Sequence, residues 1–291
     1  MTSTDAQASG YDQYCHVVSE MSNQATHPEL LRLATAFNWR LPSTSAVTPT
    51  ESVYSDEHMR ERAELDRSSW WYQTRNRIIL NALQILPRDF ALWDIGCGTG
   101  VVIEALTKDG RMVIGLEPSA AGADIAASFG QTVLPTTLES LQLPSKSIQA
   151  VSLFDVLEHI ADRQALLREI RRVLMPDGYL VITVPAMTWL WSSFDEDERH
   201  HLRYTKRTLS AELSASGFNV RKSGYFFLFT VPPLLLLRAL PHKFGWHTAL
   251  TDTTAVGARG GTAGHLLAKI ETALSMRTPL GSSLLAISQP E

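Results

Sequence analysis

The stretch FALWDIGCGTGVVIEAL (residues 90–106) leads a short apolar run into a helical pattern through a loop with three glycines. Glycines at such a turn let the backbone approach a ligand closely at the carboxyl edge of a parallel sheet. The loop reads G-x-G-x-G from Gly96 to Gly100, which differs from the dinucleotide fingerprint G-x-G-x-x-G. No Gly-Lys-Ser/Thr follows, which excludes a Walker phosphate loop. The loop therefore predicts a ligand site of another kind.

Strand-like and helix-like patterns alternate on both sides of this loop. Apolar runs predict strands at residues 90–95, 112–116, 132–134, 148–154, 179–184, 218–227 and 283–288. Helical spacing predicts helices at residues 55–86, 101–106, 120–129, 163–174 and 208–216, and Pro176-Asp177-Gly178 predicts a turn before the fifth strand. Strands that alternate with helices in this rhythm are typical of an α/β protein with a doubly wound parallel sheet.

The composition excludes several classes of protein. The chain has 291 residues, of which 44% are hydrophobic and 19% charged, so we expect a large core and not a disordered chain. A net charge of −4 argues against nucleic acid as a partner. The two cysteines, Cys15 and Cys97, suit the reducing cytoplasm and cannot form a disulfide framework. We expect no secretory signal and no transmembrane helix, because no apolar run reaches about 20 residues.

Glu117 supplies the second signal. It ends the second predicted strand 21 residues after Gly96, where a carboxylate can accept hydrogen bonds from both hydroxyls of a ribose. With this residue in place, the sequence resembles the class I S-adenosylmethionine-dependent methyltransferases, and most of all their small-molecule, lipid and sugar-pathway branch. The resemblance runs from about Trp70 to the C-terminus and rests on WWYQTRNRII (70–79), DIGCGTG (94–100), VIGLEPS (113–119), LESLQLP (138–144), FDVLEHI (154–160), LREIRRVLMPDGYLVITVP (167–185), HHLRYT (200–205) and residues 279–286.

The resemblance implies a Rossmann-like fold with a seven-stranded, mostly parallel sheet whose last strand is antiparallel. It also implies a helical cap inserted before that last strand. On this basis we expect a polar leader with a short helix in residues 1–54. Residues 55–228 and 279–291 would form the methyltransferase domain, and residues 229–278 the substrate cap.

The resemblance further implies which residues hold S-adenosylmethionine. Asp94 and the glycine loop would cradle its methionine and ribose, Glu117 the ribose hydroxyls, and Arg75 its carboxylate. Thr137 stands where many members have aspartate, so we expect the adenine contact there from the backbone. The full predicted set is Tyr72, Arg75, Asp94, Gly96, Cys97, Gly98, Gly100, Glu117, Pro118, Thr137, Leu138 and Asp155.

Methyl transfer depends chiefly on alignment of donor and acceptor. A hydroxyl acceptor also profits from a general base, and the candidates are Asp155, His159, His200 and His201. Their alternative roles are structural: a helix cap at His159 and loop positions on the surface for the histidine pair. The candidate bases favour O-methylation of a small molecule that is apolar or sugar-linked.

Two rival functions follow from the same fold. A noncatalytic cofactor-binding regulatory or scaffold protein is the first, and the intact loop and Glu117 count against it. A nucleic-acid methyltransferase is the second; the charge balance disfavours it, as does the absence of an N-P-P-Y-type segment after the fourth strand. The sequence carries no signal for an oligomeric state.

The acceptor candidates lie after the fifth predicted strand and in an apolar run. Trp189 and Trp191 suit an acceptor pocket, whereas Arg203 and Tyr204 would either bind an acidic or hydroxylated acceptor or form a buried ion pair. Phe226 opens the run YFFLFTVPPLLLLRAL at residues 225–240. This run could be a core strand with a buried helix, a pocket wall, or a surface that contacts a membrane or partner.

A divalent metal is the less favoured alternative. The spacing D-x-x-E-H of Asp155, Glu158 and His159 is similar to the E-x-x-E-H site of ubiquinone-pathway and small-RNA 3′-end methyltransferases. A later histidine, His200 or His201, could complete such a site. The same spacing also occurs in members without a metal, so the sequence predicts S-adenosylmethionine as the cofactor and no metal.

Overall fold

A seven-stranded sheet forms the centre of the computed structural model, which describes residues 27–37, 56–246 and 262–291. Its strands are β1 (Leu92–Ile95), β2 (Val113–Leu116), β3 (Val133–Leu134), β4 (Ile148–Phe154), β5 (Leu174–Pro185), β6 (Phe218–Phe226) and β7 (Ser283–Pro290). Their order is β3-β2-β1-β4-β5-β7-β6. Strands β1 to β5 are parallel, and β7 lies antiparallel between β5 and β6. The predicted doubly wound, mostly parallel sheet is confirmed.

Helices connect the strands and cover the sheet. They are α1 (Pro28–Phe37), α2 (Asp56–Ser68), α3 (Trp70–Ala82), α4 (Val101–Lys108), α5 (Ala120–Ser128), α6 (Arg163–Val173), α7 (Ser193–Asp197), α8 (Lys206–Ala215), α9 (Val231–Leu234), α10 (Leu240–Lys243) and α11 (Thr262–Leu274), with a π-helical turn (Leu235–Ala239) between α9 and α10. The strand order reverses at β1, between β2 and β4. The loops after β1 and β4 therefore leave the carboxyl edge side by side, where folds of this kind bind ligands.

Beyond shifts of a few residues at the ends of elements, two predictions of secondary structure differ from the structure. The helix predicted over residues 55–86 is divided at Ser69, whose extended backbone ends α2 and whose hydroxyl accepts a hydrogen bond from the Trp71 amide to cap α3. The turn predicted at Pro176-Asp177-Gly178 lies inside β5, as an irregularity in its pairing with β4. The pairing resumes at Tyr179 opposite Ala150, so the strand bulges outward and does not end.

The core fills both faces of the sheet and includes α1. Leu30 and Leu33 of α1 are buried in the same cluster as Trp93 and Leu153. The indole of Trp93 donates to Glu29 over 3.4 Å, and that carboxylate is itself buried. Helix α1 thus packs on the sheet from within the range predicted as a polar leader. The domain boundaries remain predictions, since residues 1–26 and 38–55 lie outside the described residues.

The apolar run at residues 225–240 has two parts. Its first part is β6, and Phe226 and Phe227 are fully buried. Its second part is helical, and Leu236 and Leu237 face solvent. The run is thus a core strand followed by a helix that is buried on one side only. Within the ranges that the structure describes, no helix is long and apolar enough to cross a membrane.

Candidate active site

The glycine loop after β1 depends on backbone conformations that favour glycine. Gly96, Gly98 and Gly100 have φ angles of +69°, +56° and +77°. A Cβ on Gly100 would lie 2.8 Å from the Cβ of Ala126, and one on Gly96 would lie 2.8 Å from a methyl of Val156. Side chains here would therefore strain the turn or clash with α5 and the turn after β4. The loop leaves a bare backbone surface at the carboxyl edge of the sheet.

Glu117 connects this loop to the turn after β2. Its carboxylate accepts hydrogen bonds from the Gly98 amide and the Ser119 amide, each over 2.8 Å. Burial raises the pKa of Glu117, and the two amide bonds oppose that rise. A carboxylate offers about four lone-pair sites. Two therefore remain for donors such as a pair of ribose hydroxyls.

Asp94 precedes the loop and Cys97 lies within it. The Asp94 carboxylate accepts a bond from the Ser152 hydroxyl over 2.7 Å. Burial raises the pKa of Asp94 to about 7. Burial also raises the pKa of the Cys97 thiol, which therefore stays protonated. A Cβ on Gly115 would lie 2.6 Å from that sulfur. The Cys97 side chain therefore points toward β2, and only the backbone of Cys97 belongs to the surface of the loop.

We expect the stability of the ligand-free protein to fall between about pH 4 and pH 7 because of Asp94. The unfolded carboxyl ionises near its ordinary pKa, whereas the folded one keeps its proton to about pH 7. The folded state therefore binds more protons in this window, and raising the pH favours unfolding by about 1.4 kcal/mol for each unit of pKa shift. In thermal unfolding, the stability of Asp94→Asn should lack this pH dependence. Relative to the wild type, the variant should therefore be most stable at pH 8.

The control for this experiment is Asp89→Asn, which removes an exposed carboxylate. The quantity to compare is the change in the stability difference with pH, since a buried amide adds a cost that does not vary with pH. A difference between Asp94→Asn and the parent that stays constant from pH 5 to pH 8 would contradict the prediction.

The buried Arg75 forms an ion pair with the half-buried Asp155, which follows β4. The guanidinium Nη2 lies 2.6 Å from Oδ2 of Asp155, and the Thr183 hydroxyl donates to the other carboxylate oxygen. The guanidinium also lies over the rings of Trp71 and Tyr72, at 5.4 and 5.7 Å from their centres. Its Nε is buried and has no hydrogen-bond partner in the described part of the chain. That N–H suits a ligand carboxylate.

The residues predicted at the adenine end take three different positions. The Thr137 hydroxyl is engaged with Ser140, whose hydroxyl lies 3.1 Å away. Leu138 is fully buried in the core, so its side chain does not face a ligand. Pro118 is half-buried after β2. An adenine contact at residue 137 therefore remains a prediction for the backbone.

Glu158, His159 and His200 come together after β4. One ligand atom from each lies within 4.8 Å of the others, and the two imidazole centres are 4.8 Å apart. Glu158 is 1% exposed, and neither carboxylate oxygen has a hydrogen-bond partner among the described residues. Burial, with the charge of Asp155, raises the pKa of Glu158 well above its ordinary value. Burial, with His200 nearby, lowers the pKa of His159 to about 4.

Asp195 is the residue of this site that the sequence did not predict. It is fully buried and accepts hydrogen bonds from His200 Nδ1 over 2.9 Å and Arg203 Nε over 2.7 Å. Burial alone would raise the pKa of Asp195, but the bonds from His200 and Arg203 outweigh it and hold the pKa below its ordinary value. The bond to Nδ1 leaves Nε2 as the other nitrogen of His200. The capping pattern Ser192-x-x-Asp195 was the only local signal.

Arg203 and His201 do not take the ligand roles predicted for them. The Arg203 side chain is 7% exposed and engaged with Asp195 and the Ala186 carbonyl. It forms the buried ion pair that the sequence left open as an alternative, and it is not free for an acceptor. His201 is exposed, and its amide donates to the Glu158 carbonyl. His200 is therefore the histidine of this pair that reaches the cluster.

The aromatic candidates divide between core and surface. Tyr204 and Phe226 are buried in the core at 0% and 1% exposure, so neither offers a side-chain surface to an acceptor. Trp189 is exposed and Trp191 is half-buried, both just after β5. The two tryptophans stay candidates for the acceptor pocket.

The comparison with protein families fits this geometry. A family described as a methyltransferase domain (Methyltransf_23) matches residues 56–223, which is more than half of the chain. The chain belongs to the class I S-adenosylmethionine-dependent methyltransferases. The matched range includes the glycine loop, Glu117 and the cluster of Glu158, His159 and His200.

Curated relatives of this methyltransferase match its central part. A ubiquinone biosynthesis O-methyltransferase from Bradyrhizobium sp. (strain ORS 278) is 34% identical over 121 residues, which is 40% of this chain and 46% of that protein. A Mycobacterium tuberculosis (strain H37Rv) protein named for S-adenosylmethionine-dependent methyl transfer is 29% identical over 148 residues, 50% of this chain and 52% of its own. The chain thus spans about half the length of the curated relatives it matches.

Solved structures share the fold at low identity. A methyltransferase from Thermotoga maritima has a TM-score of 0.52 and 16% identity, with 81% of this chain and 95% of that chain covered. The [4+2]-cyclase SpnF has a TM-score of 0.51 and 18% identity, with coverages of 76% and 83%. Since a methyltransferase and a cyclase share this architecture, the likeness shows the fold alone.

The residues of this methyltransferase fit its cofactor, S-adenosylmethionine. The glycine backbone leaves room that a Cβ would fill, and Glu117 keeps lone pairs for ribose hydroxyls. The unpartnered Nε of Arg75 suits the methionine carboxylate. The roles of the single residues remain predictions.

Proposed function

We propose that this protein transfers the methyl group of S-adenosylmethionine to a hydroxyl oxygen of a small-molecule acceptor. The observation that carries this proposal is the cluster of Glu158, His159 and His200, which holds a buried carboxylate and two imidazoles after β4, the strand that neighbours β1. The name of the Bradyrhizobium relative, an O-methyltransferase, supports oxygen as the acceptor atom. The tryptophans after β5 support an apolar acceptor, with a sugar-linked one as the alternative.

The chemistry asks little of the chain beyond alignment and a place for one proton. The cofactor supplies both the methyl group and its leaving group, so the bond to sulfur breaks as the bond to oxygen forms. Asp155 and Arg75 form an ion pair, and in this proposal the pair lies near the methyl donor. His200 accepts the hydroxyl proton at Nε2, because the bond from Nδ1 to Asp195 fixes the tautomer and the orientation of the ring.

The acceptor atom can be tested with tritium-labelled S-adenosylmethionine and a panel of hydroxylated aromatic and sugar-linked compounds. Each compound is paired with an analogue that lacks the hydroxyl. We expect label to transfer only to the hydroxylated member of a pair. Equal labelling of both members would contradict oxygen as the acceptor, and binding of the cofactor with no transfer to any compound would favour the noncatalytic alternative.

A divalent cation would fit the cluster of Glu158, His159 and His200 better than it would fit Asp155, Glu158 and His159, the ligands expected from the sequence. Asp155 is engaged with Arg75, whereas His200 lies within reach of Glu158 and His159. The unpartnered Glu158 carboxylate is costly to bury unless a cation or a proton compensates it. A carboxylate and two imidazoles suit Mn²⁺ or Zn²⁺, and the bond from His200 to Asp195 is the kind that orients a metal-bound histidine. The ion would supply Lewis acidity to the acceptor hydroxyl.

We therefore expect the wild type to bind one equivalent of Mn²⁺ in calorimetry with the metal alone. Glu158→Gln should weaken this binding by at least about tenfold, since it removes the anionic ligand. Asp155→Asn is the matched control and should bind Mn²⁺ like the wild type. If the wild type binds no Mn²⁺ or Zn²⁺, the cluster works as a base without a metal. If Asp155→Asn loses binding instead, the ligand set predicted from the sequence is the right one.

A further inference from the structure

The helices before the last strand expose an unusual amount of apolar surface. Leu236, Phe244 and Trp246 are 61%, 61% and 67% exposed, and Phe229 and Leu237 are also open to solvent. Residues 229, 236, 237 and 244 lie on or next to the short helices α9 and α10 and the π-helical turn between them. Phe244 and Trp246 pack on each other with ring centres 5.5 Å apart. We call these five residues the cap face.

A second exposed apolar stripe adjoins the start of the cap face. Leu266, Leu267 and Ile270 of α11 face solvent at helical spacing. The buried carboxylate of Glu271 accepts hydrogen bonds from the Leu228 and Phe229 amides, over 3.1 and 2.6 Å. These bonds attach α11 to the beginning of the cap face. The apolar surface is therefore held by a defined contact and is larger than a single exposed side chain.

The two ranges that carry this surface are basic, although the whole chain is acidic; one carboxylate from outside them, Glu196 of α7, pairs with His242 over 3.6 Å. Lys243, Lys269 and Arg277 are exposed in residues 229–246 and 262–278. The acidic residue of these two ranges is Glu271, which is buried and bonded to backbone amides. An apolar helical face with aromatic side chains and a basic rim is typical of helices that lie in the interface of an anionic bilayer. The same rim would repel a second copy of itself.

The cap face lies behind the candidate active site. The Arg238 guanidinium stacks over the Phe194 ring at 4.8 Å, and Phe194 is 6.4 Å from the His200 ring, centre to centre. Helix α7, which carries Phe194 and Asp195, therefore lies between the cap helices and the cluster. A membrane held at the cap face would bring an apolar acceptor near the site without any part of the chain entering the bilayer core.

We infer that the cap face docks this protein on the surface of an anionic lipid bilayer as a peripheral membrane protein. Docking needs only the exposed apolar residues and the basic rim, so it goes beyond the proposed methyl transfer and does not depend on it. The short helices lie in the interface plane. Their leucines and aromatic residues enter the boundary between headgroups and acyl chains, and the lysines face anionic headgroups.

Flotation with vesicles tests this inference. The wild type should float with vesicles of equal parts phosphatidylcholine and phosphatidylglycerol, and added salt should weaken flotation because it screens the lysines. Vesicles of phosphatidylcholine alone should retain less protein. The double variants Leu236→Glu, Leu237→Glu and Phe244→Ser, Trp246→Ser should each lower the bound fraction by about tenfold or more. Wild type that stays unbound to anionic vesicles would overturn the inference.

Matched controls separate a local effect from general loss of apolar surface. Leu65→Glu in α2 and Ile85→Glu after α3 change residues that are 52% and 47% exposed but do not belong to the cap face, and both should float like the wild type. The cap variants should keep wild-type circular dichroism and S-adenosylmethionine binding, which shows that they fold. Cap variants that float like the wild type overturn the inference. Light scattering without lipid detects the rival occupant: a wild-type dimer that the cap variants convert to monomer would make the face a self-association surface.

Discussion

Replacement of Glu117 by alanine should weaken S-adenosylmethionine binding by about a hundredfold or more. The side chain accepts bonds from the Gly98 and Ser119 amides and keeps lone pairs for two ribose hydroxyls. A hydrogen bond to a charged group contributes about 1.5–3 kcal/mol, so loss of two such bonds to the ligand corresponds to roughly that factor. The truncation also leaves two loop amides without their acceptor, which loosens the turn that holds the ligand.

Calorimetry with S-adenosylmethionine measures this effect directly. Glu117→Gln should bind S-adenosylmethionine with intermediate affinity. Its single carbonyl oxygen can accept only some of the four hydrogen bonds, which come from the two loop amides and the two ribose hydroxyls. Glu139→Ala, which removes an exposed carboxylate near the predicted adenine end, is the control and should bind normally. Wild-type affinity in Glu117→Ala would refute the ribose role, and equal loss in Glu139→Ala would show a nonspecific effect of charge.

Glu158→Gln and His200→Ala should lower the rate of methyl transfer by about 10²- to 10⁴-fold while S-adenosylmethionine binding changes less than about twofold. Both residues belong to the cluster after β4, and the cofactor contacts predicted for Glu117 and Arg75 lie elsewhere. Loss of His200 removes either the base or a metal ligand. Glu158→Gln removes either a metal ligand or, without a cation, the carboxyl that its raised pKa keeps protonated within the cluster. The effect on turnover is therefore expected whether or not a cation occupies the site.

The measurement is single-turnover transfer of tritiated methyl to an acceptor found in the hydroxyl panel, with cofactor affinity measured in parallel. His201→Ala is the matched control, because His201 is the neighbouring exposed histidine and should retain the wild-type rate. Asp195→Asn should slow transfer by about tenfold or more as a positioning residue, since it weakens the bond that orients His200. Normal transfer by His200→Ala, or equal loss in His201→Ala, would contradict the assignment of the cluster.

Local signals account for the parts of this protein that could be predicted. The G-x-G-x-G loop needs backbone angles that glycine adopts, and its glycines do have positive φ. The strand Ile148–Phe154 has the predicted bounds, because a buried parallel strand is mostly apolar, and Gln149 and Ser152 are the two polar residues of this one. Boundaries failed where a single residue or a pairing contact decides them. Ser69 ends one helix and caps the next, and residues 175–178 bulge from β5 without ending it.

The sequence predicted most residues of the candidate site, but it predicted only some of the partners that their side chains contact. From the sequence Asp155 was a candidate for the cofactor and for base catalysis, and a less favoured one for a metal. The structure pairs it with Arg75, which lies 80 residues earlier in the chain and reaches it from α3. The sequence left Arg203 open to an acceptor contact or a buried ion pair, and the structure pairs it with the buried Asp195. Neither ion pair can be read from the spacing of residues in the sequence, because charged side chains pair according to their distance in the folded protein.

By itself the sequence determined the fold class, the glycine loop and the acidic residue after the second strand, because each of them depends on a local pattern of neighbouring residues. Only the tertiary structure decided which partners each charged side chain contacts. The sheet brings the turn at residues 157–159 and the loop at residue 200 to one edge, and Asp195 turns His200 toward Glu158 and His159. The physical reason is that burial and packing, which fix distances across the chain, set which buried charges are compensated and which remain for a ligand.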